Sequence, residues 1–436
     1  MRYLLIFSFL GLFFPKNVLS QKNVNITSFK NVKIFEKPLG NGMGPAEPSI
    51  FINPTKPNNI VAASIINYYH TSFDGGENWT TNKLQSEFGV WGDPCITADT
   101  KGNFYYAHLS DPEGTNWRSK KILDRMVVQK STDGGKTWSS GAGVGLNAPK
   151  QQDKEWLTVN PFNNDIYITW TEFDKYGSHN PMDKSRILFS KSQDDGFSWS
   201  KPVKLSEFEG NALDDDLTTE GAVPSVGPNG EIYVAWAYNA KIYFDKSLDS
   251  GKTWLKKDIV ATDQIGGWTF EVPGLNRTNG MPVTGVDLSD SNYKGTIYIN
   301  FADQRNGTDN TDIFIVKSVD NGNTWSQPIK VNTDNTKTHQ FLTWMSVDPK
   351  TGYVYVLFYD RHKYTDTKTD VVLAFSTDGG KSFTNITISE KSFTARNNVF
   401  FGDYTNLNVY NGVVRPIWTR LEDNKLSVWT ALIDVK

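Results

Sequence analysis

Apolar and polar residues alternate along this chain in short runs, and the runs come in pairs separated by turn residues. The pairs read "EPSIFINPTKPNNIVAAS" from Glu47, "DPCITADTKGNFYYAH" from Asp93, "KEWLTVNPFNNDIYITW" from Lys154, "VPSVGPNGEIYVAW" from Val223, "PVTGVDLSDSNYKGTIYINF" from Pro282, "LTWMSVDPKTGYVYVLF" from Leu342 and "DYTNLNVYNGVVRPIW" from Asp403. A period of two, interrupted by Asn, Pro or Gly, predicts strand, turn and strand in each. A third strand follows, as in "RMVVQK", "RILFSK" and "DIFIVK", and then a turn and a fourth, as in "KPVKLS" and "QPIKVN".

The turn between the third and fourth runs is itself repeated. It appears as "SFDGGENW" from Ser72, "STDGGKTW" from Ser131, "SQDDGFSW" from Ser192, "SLDSGKTW" from Ser247, "SVDNGNTW" from Ser318 and "STDGGKSF" from Ser376. The consensus S-x-D-x-G-x-x-[WF] suits a hairpin, because Gly supplies positive φ and the Ser and Asp side chains bond turn amides. Seven strand pairs stand against six such boxes. The seventh unit continues through "KLSVWTALI" and is one strand short of four, and "NVKIFEK" (31–37) can supply that strand. Four-stranded antiparallel units repeated around an axis predict an all-β, seven-bladed β-propeller whose last blade is closed by the N-terminal strand, leaving no open edge. A six-bladed ring with one irregular unit is the alternative. No low-complexity or linker segment divides the chain, so residues 21–436 are expected to form a single domain.

Residues 1–20, with Arg2, the run "YLLIFSFLGLFF" and the small Ser20, read as a signal peptide cleaved near Ser20–Gln21. The expected location is therefore secreted or periplasmic. The apolar run is shorter than a bilayer span requires, so no membrane span is expected. Cys95 is the only cysteine, which leaves a large apolar core to hold the fold without a disulfide. A net charge of -3 offers no basic field for nucleic acid, while an aromatic content of 13% suits both sheet packing and stacking on sugars. The expected partner is a carbohydrate substrate, and the expected state a monomer.

The boxes resemble the Asp box, or bacterial neuraminidase repeat, of the sialidase superfamily. The resemblance covers nearly the whole chain after the signal peptide. It implies a propeller in which the boxes lie on the face opposite the active site, so that Asp74, Asp133, Asp194, Asp249, Asp320 and Asp378 are structural. Sialidases carry an F/Y-R-I-P motif before the first box; this chain has "GPAEPSIFINP" there, with no arginine between Arg2 and Arg118. The sialidase Tyr-Glu pair and acid Asp have no local motif by which to place them here.

In a propeller, the loops leading into the innermost strands share a face with those leaving the second strands. The first set carries Glu47, Asp93, Asp153, Glu155, Glu220, Asp403 and Tyr404, and the second His108, Asp111, Glu172, Tyr238, Asp303, Arg305, Asp360, Arg361, His362 and Arg420. Paired carboxylates can act as general acid and base on a glycosidic bond, and Arg grips carboxylate or sulfate with two bonds. The candidate catalytic residues are Asp93, Glu155, Asp403 and Tyr404. The candidate substrate-binding residues are His108, Arg305, Arg361, His362 and Arg420. Each has a structural alternative: strand-end capping or channel lining for the acids, local ion pairs for the arginines. No metal or other cofactor is expected. The acidic run "EFEGNALDDDLTTE" (207–220) has oxygen ligands suited to calcium but lacks the D-x-D-x-D-G spacing, and calcium is not predicted. Three functions fit: a sialidase-like glycan hydrolase on a polar or acidic sugar, a polysaccharide lyase on uronate-containing glycan, or a non-catalytic binding propeller.

Overall fold

The computed structural model describes Ile26, residues 29–40 and residues 42–435. The proposed signal peptide lies outside them. Among the described residues the fold is a ring of seven antiparallel sheets, a seven-bladed β-propeller. Blades 1 to 6 begin at the innermost strands Ser49–Ile52, Cys95–Ala98, Gln151–Val159, Glu220–Val226, Val283–Val286 and Gln340–Val347. Blade 7 takes Asn406–Tyr410, Val413–Glu422 and Lys425–Asp434 from the C-terminal segment, and its outer strand, Lys30–Pro38, from the N-terminal one. In that closing pair Lys30 lies opposite Leu432 and Pro38 opposite Lys425.

Second strands such as Ile166–Phe173 and Val354–Asp360 are buried along their whole length, because a neighbouring blade covers each face of the sheet. That two-sided cover explains their nearly continuous apolar sequences. In blades 1 to 6 the fourth strands are short, two to five residues, as in Val203–Lys204 and Thr80–Lys83, which leaves those outer edges blunt.

The boxes fasten neighbouring blades. Ser131 Oγ donates to Asp133 Oδ1 (2.8 Å) and accepts from the Gly135 amide (2.9 Å), while Asp133 accepts from the Lys136 and Thr137 amides (3.0 Å each) and the Thr137 hydroxyl (2.7 Å). Gly135 has φ 89°, and a Cβ there would come within 2.5 Å of Val61 in the preceding blade. The box tryptophans reach the same seam: Trp138 packs edge-on to Tyr69, Trp254 to Phe189 and Trp325 to Phe244, each partner lying one blade back. Every box follows a third strand, so the boxes occupy the face opposite the loops that lead into the innermost strands. Among the described residues, no helix is long and apolar enough to cross a membrane.

Candidate functional site

Five innermost strands are preceded, or bulged near their start, by a residue with positive φ: Glu47 (49°), Asp93 (50°), Lys154 (53°), Gly221 (74°) and Leu342 (49°). This left-handed conformation is costly for residues other than glycine and persists only where the surroundings enforce it. Leu342 and Gly221 show that it belongs to the repeat. In blades 1 to 3 it turns Glu47, Asp93 and Lys154 into one pocket of 140 Å³ on the axis, where Asp153, Asp403 and Arg277 join them.

Lys154 is the centre of this pocket. Its Nζ lies 2.7 Å from Asp403 Oδ2 and 3.3 Å from Asp93 Oδ2. Arg277, from the connection between blades 4 and 5, donates its Nε to Asp403 Oδ1 (2.6 Å) and its Nη2 to Asp403 Oδ2, while Nη1 reaches Asp214 Oδ2 at 3.0 Å. Asp214 also accepts from the Tyr176 hydroxyl (2.9 Å) and from Trp268 Nε1 (3.2 Å). Both axial cations are thus already paired with carboxylates.

The acids divide by environment. Burial disfavours the charge on Asp403, but Arg277 and Lys154 outweigh it and hold that carboxyl well below the usual range. Burial pushes Asp153 up to about 8, the neighbouring Lys154 opposing and Asp93 and Asp214 adding to the rise. Burial, with Asp93 and Asp403 close by, likewise raises Glu47 well above its ordinary value. Lys154 loses hydration, yet the carboxylates around it hold its pKa well above that of a free lysine. Burial thus favours the neutral form of Asp153, which stands beside the Lys154–Asp93–Asp403 group. Environments that separate acids in this way mark candidate acid and base assignments.

An aromatic wall flanks these charges. Trp91, Trp117 and Tyr176 all line the pocket, and Met43 and Phe400 stand on its rim. Below it, Trp156 packs against Trp344 (4.3 Å) and Tyr404 (5.2 Å) across the axis. A larger cavity of 670 Å³ opens on the box-bearing face, lined by aliphatic and threonine side chains of the innermost strands. Its acid, Asp99, is bonded to Asn103 and to the Lys101 amide.

Of the residues expected from sequence, Asp93 and Asp403 line the pocket. Tyr404 is buried in the aromatic plug with its hydroxyl 3.5 Å from the Pro94 carbonyl. Glu155 is 1% exposed and both its oxygens lack a partner; burial, with Asp93 nearby, raises its pKa well above the ordinary value.

The candidate binding residues stand outside the pocket, each for a physical reason. His108 is fully buried, bonded to Gln129 and the Leu109 carbonyl, and burial lowers its pKa to about 4. It occupies the repeat position held elsewhere by Trp170, Trp236, Phe301, Phe358 and Trp418, which is a core position. Arg305 doubles back onto Asp303 of its own loop, and His362 onto Asp360. Arg361 is 3% exposed, bonded to Thr369 Oγ1 and the Pro273 carbonyl. Arg420 lies over Trp429 and beside Glu422. In the acidic run, Asp214 pairs with Arg277, Asp215 accepts from Asn211 and Asp216 from the Thr269 amide. Among the described residues no cluster of three or more His, Cys, Asp or Glu side chains suits a metal ion.

Sequence reasoning missed Lys154 and Arg277 as site residues. Lys154 opens one of the repeated pairs at the position of Glu47 and Asp93, and that alignment was its available signal. Arg277 lies between strands in a segment with no repeat counterpart.

No protein-family model matches the chain, and no curated protein matches it in sequence. In three dimensions it is similar to solved propellers. An ulvan lyase of polysaccharide lyase family PL25 superposes with a TM-score of 0.55 at 14% identity, covering 93% of this chain and 96% of that one. The same enzyme bound to -[GlcA(1-4)Rha3S]- gives 0.54. A variant of the NanB sialidase from Streptococcus pneumoniae gives 0.51 at 12% identity, covering 87% of this chain and 84% of that one. At such identities the likeness is one of fold.

Proposed function

We propose that the protein is a glycoside hydrolase that holds one polar sugar unit in the axial pocket. Asp153 acts as the general acid, giving its proton to the departing glycosidic oxygen. Asp93, whose Oδ2 is held by Lys154, accepts a proton from the water that attacks the anomeric carbon. Lys154, fixed by Asp403, keeps that carboxylate in place. The observation that carries this reading is that Asp153 and Asp93 line one pocket with Lys154, the first with a pKa raised by burial and the second ion-paired to Lys154. Hydrolysis of a glycosidic bond needs such a pair of unlike acids.

A lyase acting on uronate needs a cation free to neutralise the substrate carboxylate. Lys154 and Arg277 are both engaged by Asp93, Asp403 and Asp214, which favours hydrolysis over elimination. The test is a screen of the purified protein on a polysaccharide panel, reading reducing ends together with absorbance near 235 nm. Reducing ends without new absorbance support the proposal. An absorbing product, or binding with no product on any glycan bound, overturns it.

A further inference from the structure

The 140 Å³ pocket is smaller than ordinary ligand sites, so most of any glycan must lie outside it, on its rim. One side of that rim is built for the purpose. Trp117, on the short turn Asn116–Arg118 between the second and third strands of blade 2, is 55% exposed, unusual for the largest apolar side chain. It stacks on Tyr176 of blade 3 (5.5 Å between centroids, 23° between planes) and meets Trp91 edge-on at 6.0 Å.

The ledge is fixed in place. The Trp91 amide donates to the Leu109 carbonyl (2.9 Å), the Tyr176 amide to Gln151 Oε1 (2.9 Å) and the Asn116 amide to Asp111 Oδ2 (2.9 Å). The Tyr176 hydroxyl is tied through Asp214 to Arg277. An aromatic surface held in this way loses little entropy when a ligand stacks on it.

The charges around it differ from those on the axis. Arg118, Lys120 and Lys175 are exposed in the two loops that carry the ledge, and among the described residues no ion pair engages them. Glu113, also exposed, is taken by Lys121 at 3.6 Å. Unpaired positive charge thus lies in the loops that carry the aromatic ledge, whereas the cations of the pocket are held by carboxylates.

We infer that Trp91, Trp117 and Tyr176 form an outer subsite that stacks a second unit of an acidic polysaccharide chain, whose carboxylate or sulfate is met by Arg118, Lys120 and Lys175. The inference rests on the axial pocket being a carbohydrate site, and it makes the substrate a chain. A glycoside of a single sugar held in the pocket would leave the solvent-facing side of Trp117 uncovered.

The test is affinity electrophoresis of the full chain in native gels containing polygalacturonate, dextran sulfate or neutral dextran, with thermal melting of each variant alongside. Retardation by polygalacturonate, dextran sulfate or both, and none by dextran, is expected; which polymer acts tells carboxylate from sulfate. Trp117→Ala should raise the dissociation constant about three- to tenfold, the worth of one aromatic stacking contact, with unchanged melting. Arg118→Ala with Lys120→Ala should weaken binding as well. No retardation by either acidic polymer, equal retardation by dextran, or a Trp117→Ala protein that binds like the parent overturns the inference. Binding is read here without turnover. Retardation intact with no product released therefore sinks the hydrolase reading alone, and turnover of a chain unaffected by Trp117→Ala sinks the ledge alone.

Discussion

Lys154 and Asp403 stand 249 positions apart in sequence, yet Lys154 Nζ lies 2.7 Å from Asp403 Oδ2 with both side chains at most 5% exposed. The contact joins blade 3 to blade 7 across the axis. The mouth of the channel is therefore partly an internal ion-pair network.

Breaking a buried pair by removing one partner leaves an uncompensated charge. Asp403→Asn leaves Lys154 with Asp93 and Arg277 with Asp214 as their remaining carboxylates, and should lower stability by about 3–5 kcal/mol, with Lys154→Ala somewhat less damaging. Urea denaturation measures both. Variants as stable as the parent would mean that water, not Asp403, balances these cations.

Asp153 has a folded-state pKa raised to about 8, so the folded protein binds its proton more tightly than the unfolded chain does. Its contribution to stability is full below the unfolded value near 4 and is lost as pH rises toward 8. Asp403 has the opposite sign: its contribution is present above the unfolded value and lost as pH falls. Urea denaturation from pH 4 to 9 should show stability declining toward pH 8, and Asp153→Asn should flatten that decline. An unchanged slope in the variant would place the titration elsewhere.

The same variant tests the chemistry. Asp153→Asn should lower kcat about 10²- to 10⁴-fold on a substrate found by the screen, with KM little changed. The parent's kcat should fall on the alkaline side as Asp153 loses its proton. A variant with parental kcat removes Asp153 from the acid role.

Ile34 in the N-terminal strand packs with Ile50, Ile60, Ile417 and Val428, and Phe35 lies 4.6 Å from Tyr68 of blade 1. Ile34→Ala should cost about 2–5 kcal/mol, the range for truncating a buried aliphatic side chain. Deleting residues 29–38 should do more, because it exposes an edge of Lys425–Asp434, and light scattering should report aggregation. An unaffected melting temperature in both would refute the shared closing blade as a source of stability.

Asp133 receives four hydrogen bonds within its turn and lies on the face away from the pocket. Asp133→Ala should lower stability by about 1–3 kcal/mol, since several turn donors lose their acceptor together. Turnover per folded molecule should hold, as measured after correcting for the folded fraction.

The sequence by itself determined the ring. Alternating runs set the strands, the six boxes set the hairpins, and the missing strand after "KLSVWTALI" pointed to "NVKIFEK" as its complement. These features repeat because each blade solves the same local packing problem, and local problems leave periodic marks. Asp93 and Asp403 were legible for the same reason, since each opens a repeated pair and must arrive near the axis.

The tertiary structure decided which charges meet. Arg277 belongs to no repeat, and only closure of the ring carries its guanidinium to Asp403 of blade 7. Arg305, Arg361, His362 and Arg420 lie on the expected loops and strand ends, but their side chains turn to Asp303, Thr369, Asp360 and Trp429, because long cationic side chains pair with the nearest acceptor or aromatic face available. Trp117 and Tyr176 become one ledge only because two loops of adjacent blades rise side by side. Charge pairing and stacking depend on distances between segments far apart in the chain, and those distances exist only once the seven blades have closed.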